Sequence, residues 1–244
     1  MSDILRQQLA PTGVLRAAIN LGNFLLVTGK AENGDPIGVS PDMAAEVARR
    51  IGAPLKLVPV ATPGEIADMA GGEHWDIGNI GAEPARAKVM DFTAAYAEIQ
   101  STYMVPPGSP IEKIEDVDKP GIKIAVSARS AYDLWLDRNI KQAELHRAEG
   151  IENSFQLFVD QKMDVLAGLR PRLIDDVKRI EGARILDGQF SAVQQAIGCN
   201  KDRPEAHAFL KDFVEEAKAS GFVAGLIEKH GVEGRLSVAP PATG

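Results

Sequence analysis

Arg86 is the side chain with the clearest chemical use. It lies in the stretch Trp75-Asp76-Ile77-Gly78-Asn79-Ile80-Gly81-Ala82-Glu83-Pro84-Ala85-Arg86-Ala87-Lys88-Val89-Met90-Asp91-Phe92-Thr93-Ala94-Ala95-Tyr96. Trp75 to Ile80 reads as a short buried strand. Glu83-Pro84-Ala85-Arg86 then opens one helical turn, with Pro84 in a first-turn position where its missing N–H is not needed. A guanidinium at a strand end, beside Gly78, Gly81 and Ala82, which let a ligand approach the backbone closely, suits bidentate capture of a carboxylate. The competing interpretation is an ordinary surface arginine on a solvated helix.

No other combination of reactive side chains points to a chemistry. Asp175-Asp176 and Glu215-Glu216 are adjacent residues on helices, so their side chains diverge, and both pairs read as solvated faces. There is no phosphate-binding Walker loop, dinucleotide glycine fingerprint or serine elbow. His74, His146, His207 and His230 show no ligand spacing, and the single cysteine, Cys199, excludes an internal disulfide or a thiolate metal cluster. The expectation is no metal, no cofactor and no catalytic residue.

The elements that must position Arg86 alternate between strand and helix. Gly13 to Asn20 reads as a strand, followed by a loop through Leu21-Gly22-Asn23-Phe24. A helix runs from a Ser40 N-cap through Pro41 to Ile51 and is stopped by Gly52. Asp42 reads as a charge at that helix terminus. Pro54–Val60 alternates as a strand and Pro63–Ala70 is helical. After the Arg86 stretch, Thr102-Tyr103-Met104-Val105 leads into a proline-rich passage that cannot stay inside a sheet. Lys123–Val126 is a strand, and Ser127 to Leu134 turns into a helix whose free N–H groups suit an anion. Ile151–Gln161 is a helix, Met163–Leu169 a buried strand, and Arg184–Asp187 and Ala192–Gly198 are further strands. The tail carries helices over Ala208–Ser220 and from Gly221 to His230, with residues beyond Val232 expected to be loose. Such alternation predicts parallel sheets flanked by helices that bind ligands at the carboxyl ends of their strands, where Asn79 and Arg86 fall.

Strand, small residues, Pro-x-Arg-Ala-Lys, Asp-Phe-Thr and a following tyrosine together resemble the signature of family 3 extracellular solute-binding proteins, the polar amino-acid receptors of ABC transporters. The resemblance extends along most of the chain. Gly38-Val39-Ser40-Pro41-Asp42-Met43-Ala44 is similar to the family's entry to its first helix, and the two C-terminal helices are similar to its ending. It implies a two-lobed type II periplasmic-binding-protein fold, each lobe a mostly parallel sheet flanked by helices, with a ligand cleft between the lobes. The implied lobes are residues 1–101 with 198–244, and 102–197.

The resemblance also implies roles. Arg86 clamps the ligand carboxylate, with Asn79 and Gly81 beside it. Asn20, Asn23 and Phe24 hold the region of the first loop, where the family has an aromatic lid, although the spacing departs from the family's. Arg129-Ser130 stands where the family has Gly-Ser or Gly-Thr, so Ser130 keeps the hydroxyl while Arg129 adds a charge. Leu169 occupies the position of the family's ammonium-pairing aspartate. Arg170 and Arg172 follow it, and Gln195 is a further cleft candidate. A buried, unpaired α-ammonium would cost several kcal/mol, so a carboxylate lacking an α-amino group is the expected ligand.

Composition is compatible with this. The chain has 244 residues, 45% hydrophobic and 25% charged, which is room for two modest domains. A net charge of −7 argues against nucleic acid or an anionic membrane as partner. The expected partners are a small organic acid or amino-acid-like ligand and an ABC permease, with the protein itself a monomer. Met1 to Thr12 lacks the basic start and apolar core of a signal peptide. The expectation is therefore periplasmic if a signal has been removed and cytoplasmic otherwise. Two alternatives stand beside transport. One is an enzyme similar to cyclohexadienyl dehydratase, with Glu98 as its candidate acid; the other is a ligand-sensing module.

Overall fold

A computed structural model of the protein describes residues 2–242. The chain divides into two compact units, Met1–Glu98 with Gln194–Gly244, and Ile99–Val193. The sequence reading set these divisions at 101/102 and 197/198 instead. In chain order the elements are α1 (Asp3–Leu9), β1 (Leu15–Asn20), β2 (Gly29–Lys30), β3 (Pro36–Ile37), α2 (Val39–Ile51), β4 (Leu55–Val60), α3 (Pro63–Asp68), β5 (Ile77–Gly81), β6 (Met90–Phe92) and β7 (Ala97–Val105). They continue with β8 (Lys123–Ser127), α4 (Ala131–Asn139), β9 (Glu144–Ala148), α5 (Ile151–Asp160), β10 (Val165–Leu169), α6 (Arg170–Asp176), β11 (Arg184–Ile185), β12 (Ser191–Asn200), α7 (Pro204–Ala219), α8 (Phe222–Lys229) and β13 (Ser237–Val238). Strands β7 and β12 carry the chain from one unit to the other.

In the first unit β4, β1 and β5 run parallel, and β12 closes the set antiparallel to β5. Asp76 anchors the start of β5. It is fully buried, accepts the Arg16 N–H at 2.9 Å, and pairs with the Arg16 guanidinium at 2.8 Å. Ala18, Val60, Ile66, Trp75, Ile80 and Met90 form a core over one face of this sheet. Gly78 belongs to that core rather than to a ligand surface: a Cβ there would lie 2.9 Å from Ile66 Cγ2. Its missing side chain admits α3, which corrects its reading as room for a ligand.

In the second unit β8 pairs in parallel with both β9 and β10, and β7 lies antiparallel to β10. Met104, Phe155, Phe158, Met163, Leu166 and Leu173 fill one face, under α5 and α6.

Four further expectations are corrected. Helix α2 starts two residues earlier, capped at Gly38, and Ser40 sits inside it with its hydroxyl donating to Leu26 O. A Cβ at residue 38 would lie 2.1 Å from that same oxygen, so glycine holds the cap. The tail over residues 233–242 is not loose: β13 pairs with the start of β7, and Ala239 N–H donates to Tyr96 O at 3.1 Å, while residues 243–244 lie outside the described residues. Asp176 is no solvated face; it is 1% exposed and ion-paired to Arg172 and Arg179. Arg172 is thereby committed to Asp176 and Glu152, which leaves it outside the expected set of ligand-facing cations. Helix α1 and strand β9 had no counterpart in the sequence reading.

Candidate functional site

The first unit gathers Arg86, Gly81, Asn79 and Gln195. The chain leaves β5 at Gly81, and a short 3-10 turn over Arg86–Lys88 brings Arg86 back against the strand end. Arg86 is 3% exposed and its Nη1 donates to Gly81 O at 2.7 Å. A guanidinium carries five donors in a planar fork, and this bond to a carbonyl helps to orient it. Gln195 on β12 lies directly opposite Gly81, and Asn79 opposite Ile197. Opposed residues of an antiparallel pair share a face, so Asn79 and Gln195 project to the same side. Asn79 is 1% exposed, and neither its Nδ2 nor its Oδ1 has a hydrogen-bond partner among the described residues. The Tyr96 hydroxyl is buried without a partner as well, and burial pushes its phenol pKa up. Native interiors leave few such groups unpaired.

The loop after β1 is less open to a ligand. Asn20 is half-buried and its Oδ1 accepts from Gly22 N–H at 3.0 Å. Asn23 is buried, and its side-chain oxygen accepts from the Leu25 and Leu26 amides at 3.1 and 3.3 Å, which makes it a local loop staple. Phe24 is half-buried with the Arg235 guanidinium 5.5 Å from its ring centroid.

The second unit places Ser130 as the N-cap of α4, its Oγ accepting from Asp133 N–H at 3.1 Å. The Tyr132 phenol shares hydrogen bonds with the Ser127 and Ser130 hydroxyls, and burial pushes its pKa up to about 12. Arg129 is exposed and takes a left-handed conformation, φ 57°. Its N–H donates to Asp133 Oδ2 at 2.7 Å, while Arg147 Nε donates to Asp133 Oδ1 at 2.9 Å. Burial raises the Asp133 carboxyl pKa against the opposing pull of the Arg129 amide and Arg147. Leu169 is 5% exposed and lies opposite Ser101, whose buried hydroxyl is also unpartnered among the described residues. Arg170 does not stand free beside it: its Nη2 donates to the carbonyls of Gly188 and Leu186.

The sequence places Tyr132 and Asp133 in the helix that follows Ser127 but gives neither of them, nor Arg147, a role at the site. A signal for Asp133 existed, since Ser130-x-x-Asp133 has the spacing of a reciprocal helix cap. Arg147 on another strand left none.

The sequence pattern of the bacterial extracellular solute-binding proteins, family 3, matches residues 24–233. The chain belongs to that family. This solute-binding protein is 21% identical over 211 residues to the L-cystine-binding protein TcyJ of Escherichia coli (strain K12), covering 85% of this chain and 79% of that one. It is 26% identical over 159 residues to the cyclohexadienyl dehydratase of Pseudomonas aeruginosa, covering 64% of this chain and 59% of the dehydratase. Among solved structures it resembles the amino acid ABC transporter substrate-binding protein AbpA of Streptococcus pneumoniae, bound to L-arginine, with a TM-score of 0.73. There the identity is 18%, with 92% of this chain and 97% of that chain covered. The fold is thus mixed α/β, of the two-lobed type II binding-protein class.

Proposed function

We propose that this solute-binding protein captures a small carboxylate lacking an α-amino group, delivers it to an ABC permease from outside the inner membrane, and performs no catalysis on it. The observation that carries this reading is Arg86, a buried cation oriented by a backbone carbonyl rather than tied up on a solvated helix. A guanidinium held in a fixed orientation presents a planar fork that matches a carboxylate. Around it, Asn79 offers an amide with both polar ends open. In the second unit Ser130 supplies a hydroxyl at the start of α4, where the helix dipole favours an anion. Leu169, apolar and buried, provides no counter-charge for an ammonium.

Calorimetric titration with matched pairs tests this: glutarate against L-glutamate, 3-phenylpropionate against L-phenylalanine, and L-cystine and L-arginine as the ligands named for relatives. The expected result is that the acid of each pair outcompetes its amino acid. Tight binding of common α-amino acids would overturn the amino-free ligand while leaving solute capture intact.

The enzyme reading is favoured by one observation, the partial match to a cyclohexadienyl dehydratase. Glu98, half-buried on β7, is its candidate acid. Incubation with prephenate and arogenate, followed by absorbance, is expected to give no product. Turnover lost in Glu98→Gln would establish the dehydratase reading instead.

A further inference from the structure

Arg129 is one of three non-glycine residues with positive φ among the described residues. An L side chain in that conformation crowds its own carbonyl, whereas glycine adopts it freely. Something must hold it, and the contacts identify what. The Arg129 N–H ends on Asp133 Oδ2 at 2.7 Å, the Asp133 N–H ends on Ser130 Oγ at 3.1 Å, and Arg147 Nε fills Asp133 Oδ1 at 2.9 Å. Arg147 is itself fixed: its Nη2 reaches Asp137 Oδ1 at 2.6 Å, and its backbone lies opposite Val126 in the β8–β9 pairing. Ala128 N–H donates to Ala148 O at 2.8 Å, so the strand that carries Arg147 also holds the near end of the turn. Asp133 is 3% exposed, and a carboxylate so deeply buried persists only when its oxygens are hydrogen-bonded.

We infer that Asp133, braced by Arg147, is a positioning residue for Ser130: its carboxylate tethers Arg129 in the left-handed turn that sets the cap of α4. The tether does for this turn what a glycine would do through conformational freedom. This rests on reading Ser130 as a ligand contact. Asp133 and Arg147 act through the turn and touch no ligand themselves.

The test is a cycle of Asp133→Ala with Arg129→Gly, read with glutarate by calorimetry and by amide exchange of Ser130, whose N–H closes the turn onto Ser127 O at 3.3 Å. With arginine at 129, Asp133→Ala is expected to weaken glutarate binding five- to tenfold and to speed Ser130 exchange at least tenfold. In the Arg129→Gly background the same substitution is expected to cost less than twofold in affinity and less than threefold in exchange. Glycine needs no tether, whereas the melting temperature lost with Asp133 stays lost in both backgrounds. That split separates positioning from a merely structural role. Equal costs in the two backgrounds would overturn the inference. Ser130→Ala distinguishes the underlying reading: if it leaves glutarate affinity unchanged, or if glutarate does not bind, Ser130 is no ligand contact. The exchange rates, which need no ligand, then decide the tether alone.

Discussion

The two units differ in where their buried polar side chains find partners. In the first, Arg86 is buried with its guanidinium on the Gly81 carbonyl of its own strand end, and Asn79 and Tyr96 keep buried polar atoms with no partner among the described residues. In the second, charge is closed on charge: Arg147 with Asp133 and Asp137, Arg172 and Arg179 with Asp176 and Glu152, and Arg170 on the carbonyls of Gly188 and Leu186. An unsatisfied buried polar group costs about 1–3 kcal/mol, so the first unit, with the Asn79 amide and the Tyr96 hydroxyl, forgoes more stability on this account than the second, with the Ser101 hydroxyl. The first unit therefore reads as the one with recognition capacity held in reserve. The second reads as the one whose shape is set in advance, with Ser130 as its polar feature for a ligand.

Removing the buried cation should have the largest effect. Truncating one partner of a buried charged hydrogen bond costs roughly 2–5 kcal/mol, so Arg86→Ala is expected to weaken binding of the preferred acid about 30-fold or more in a calorimetric titration. Arg86→Lys should recover only part of it, because an ammonium cannot reproduce a bidentate fork. Unchanged affinity in Arg86→Ala would erase the contrast between the units.

The paired network of the second unit predicts the next effect, and on stability rather than affinity. Breaking a buried ion pair costs about 3–5 kcal/mol when it strands a buried charge. Arg172 and Arg179 keep Glu152 and are partly exposed, so no charge is stranded in the interior and Asp176→Ala is expected to fall below that range, at about 2 kcal/mol. In a protein of this size that lowers the melting temperature by roughly 4–8 °C. Ligand affinity should be unchanged. A loss of affinity matching that of Arg86→Ala would place Asp176 in recognition after all.

The same contrast explains what could be read from the sequence. The Arg86 stretch was legible because a buried strand, a proline in a first turn and a cation are all local patterns. The Ser130 cap was legible for the same reason, and the helices from Ile151 and over Ala208–Ser220 followed from their apolar period. Arg147 was not legible, because its partner Asp133 lies on another element and only the β8–β9 register brings them together. Asp176 was misread because adjacent acids on a helix do diverge, yet divergence leaves one of them free to point inward to two arginines. Gly78 looked like ligand space because a missing Cβ carries no label for what fills it; here Ile66 does. Residues 233–242 include too short a strand for alternation to show, and that strand is held by pairing with β7.

A smaller effect sharpens the idea of reserve. Tyr96 carries a buried hydroxyl with no partner among the described residues, so Tyr96→Phe removes a desolvated group and opens no cavity. Stability is expected to rise, by no more than about 1 kcal/mol, in a denaturant titration. If the hydroxyl serves the ligand, affinity falls while stability rises. A clear loss of stability would mean that the hydroxyl is satisfied in solution and is not held in reserve.

The smallest effect compares one carboxylate from each unit. Glu46 on α2 is gripped by Arg49 and Arg50, and Glu152 on α5 by Arg179 and Arg172; side-chain hydrogen bonds to these arginines hold each carboxyl at about 2, below the usual 4.5. A depressed folded-state value means stability that is fully present above about 4.5 and is lost as pH falls toward 2. The two differ in exposure: the Glu46 side chain is 15% exposed and that of Glu152 is 58%. Solvent and salt screen the second far more. Melting curves from pH 7 to pH 2 should therefore show Glu46→Gln below the unmodified protein at neutral pH and convergent with it near pH 2, with the gap largely kept in high salt. Glu152→Gln should show a smaller gap that salt closes. A gap that persists at pH 2 in either variant would show that the lost interaction was packing or hydrogen bonding rather than charge.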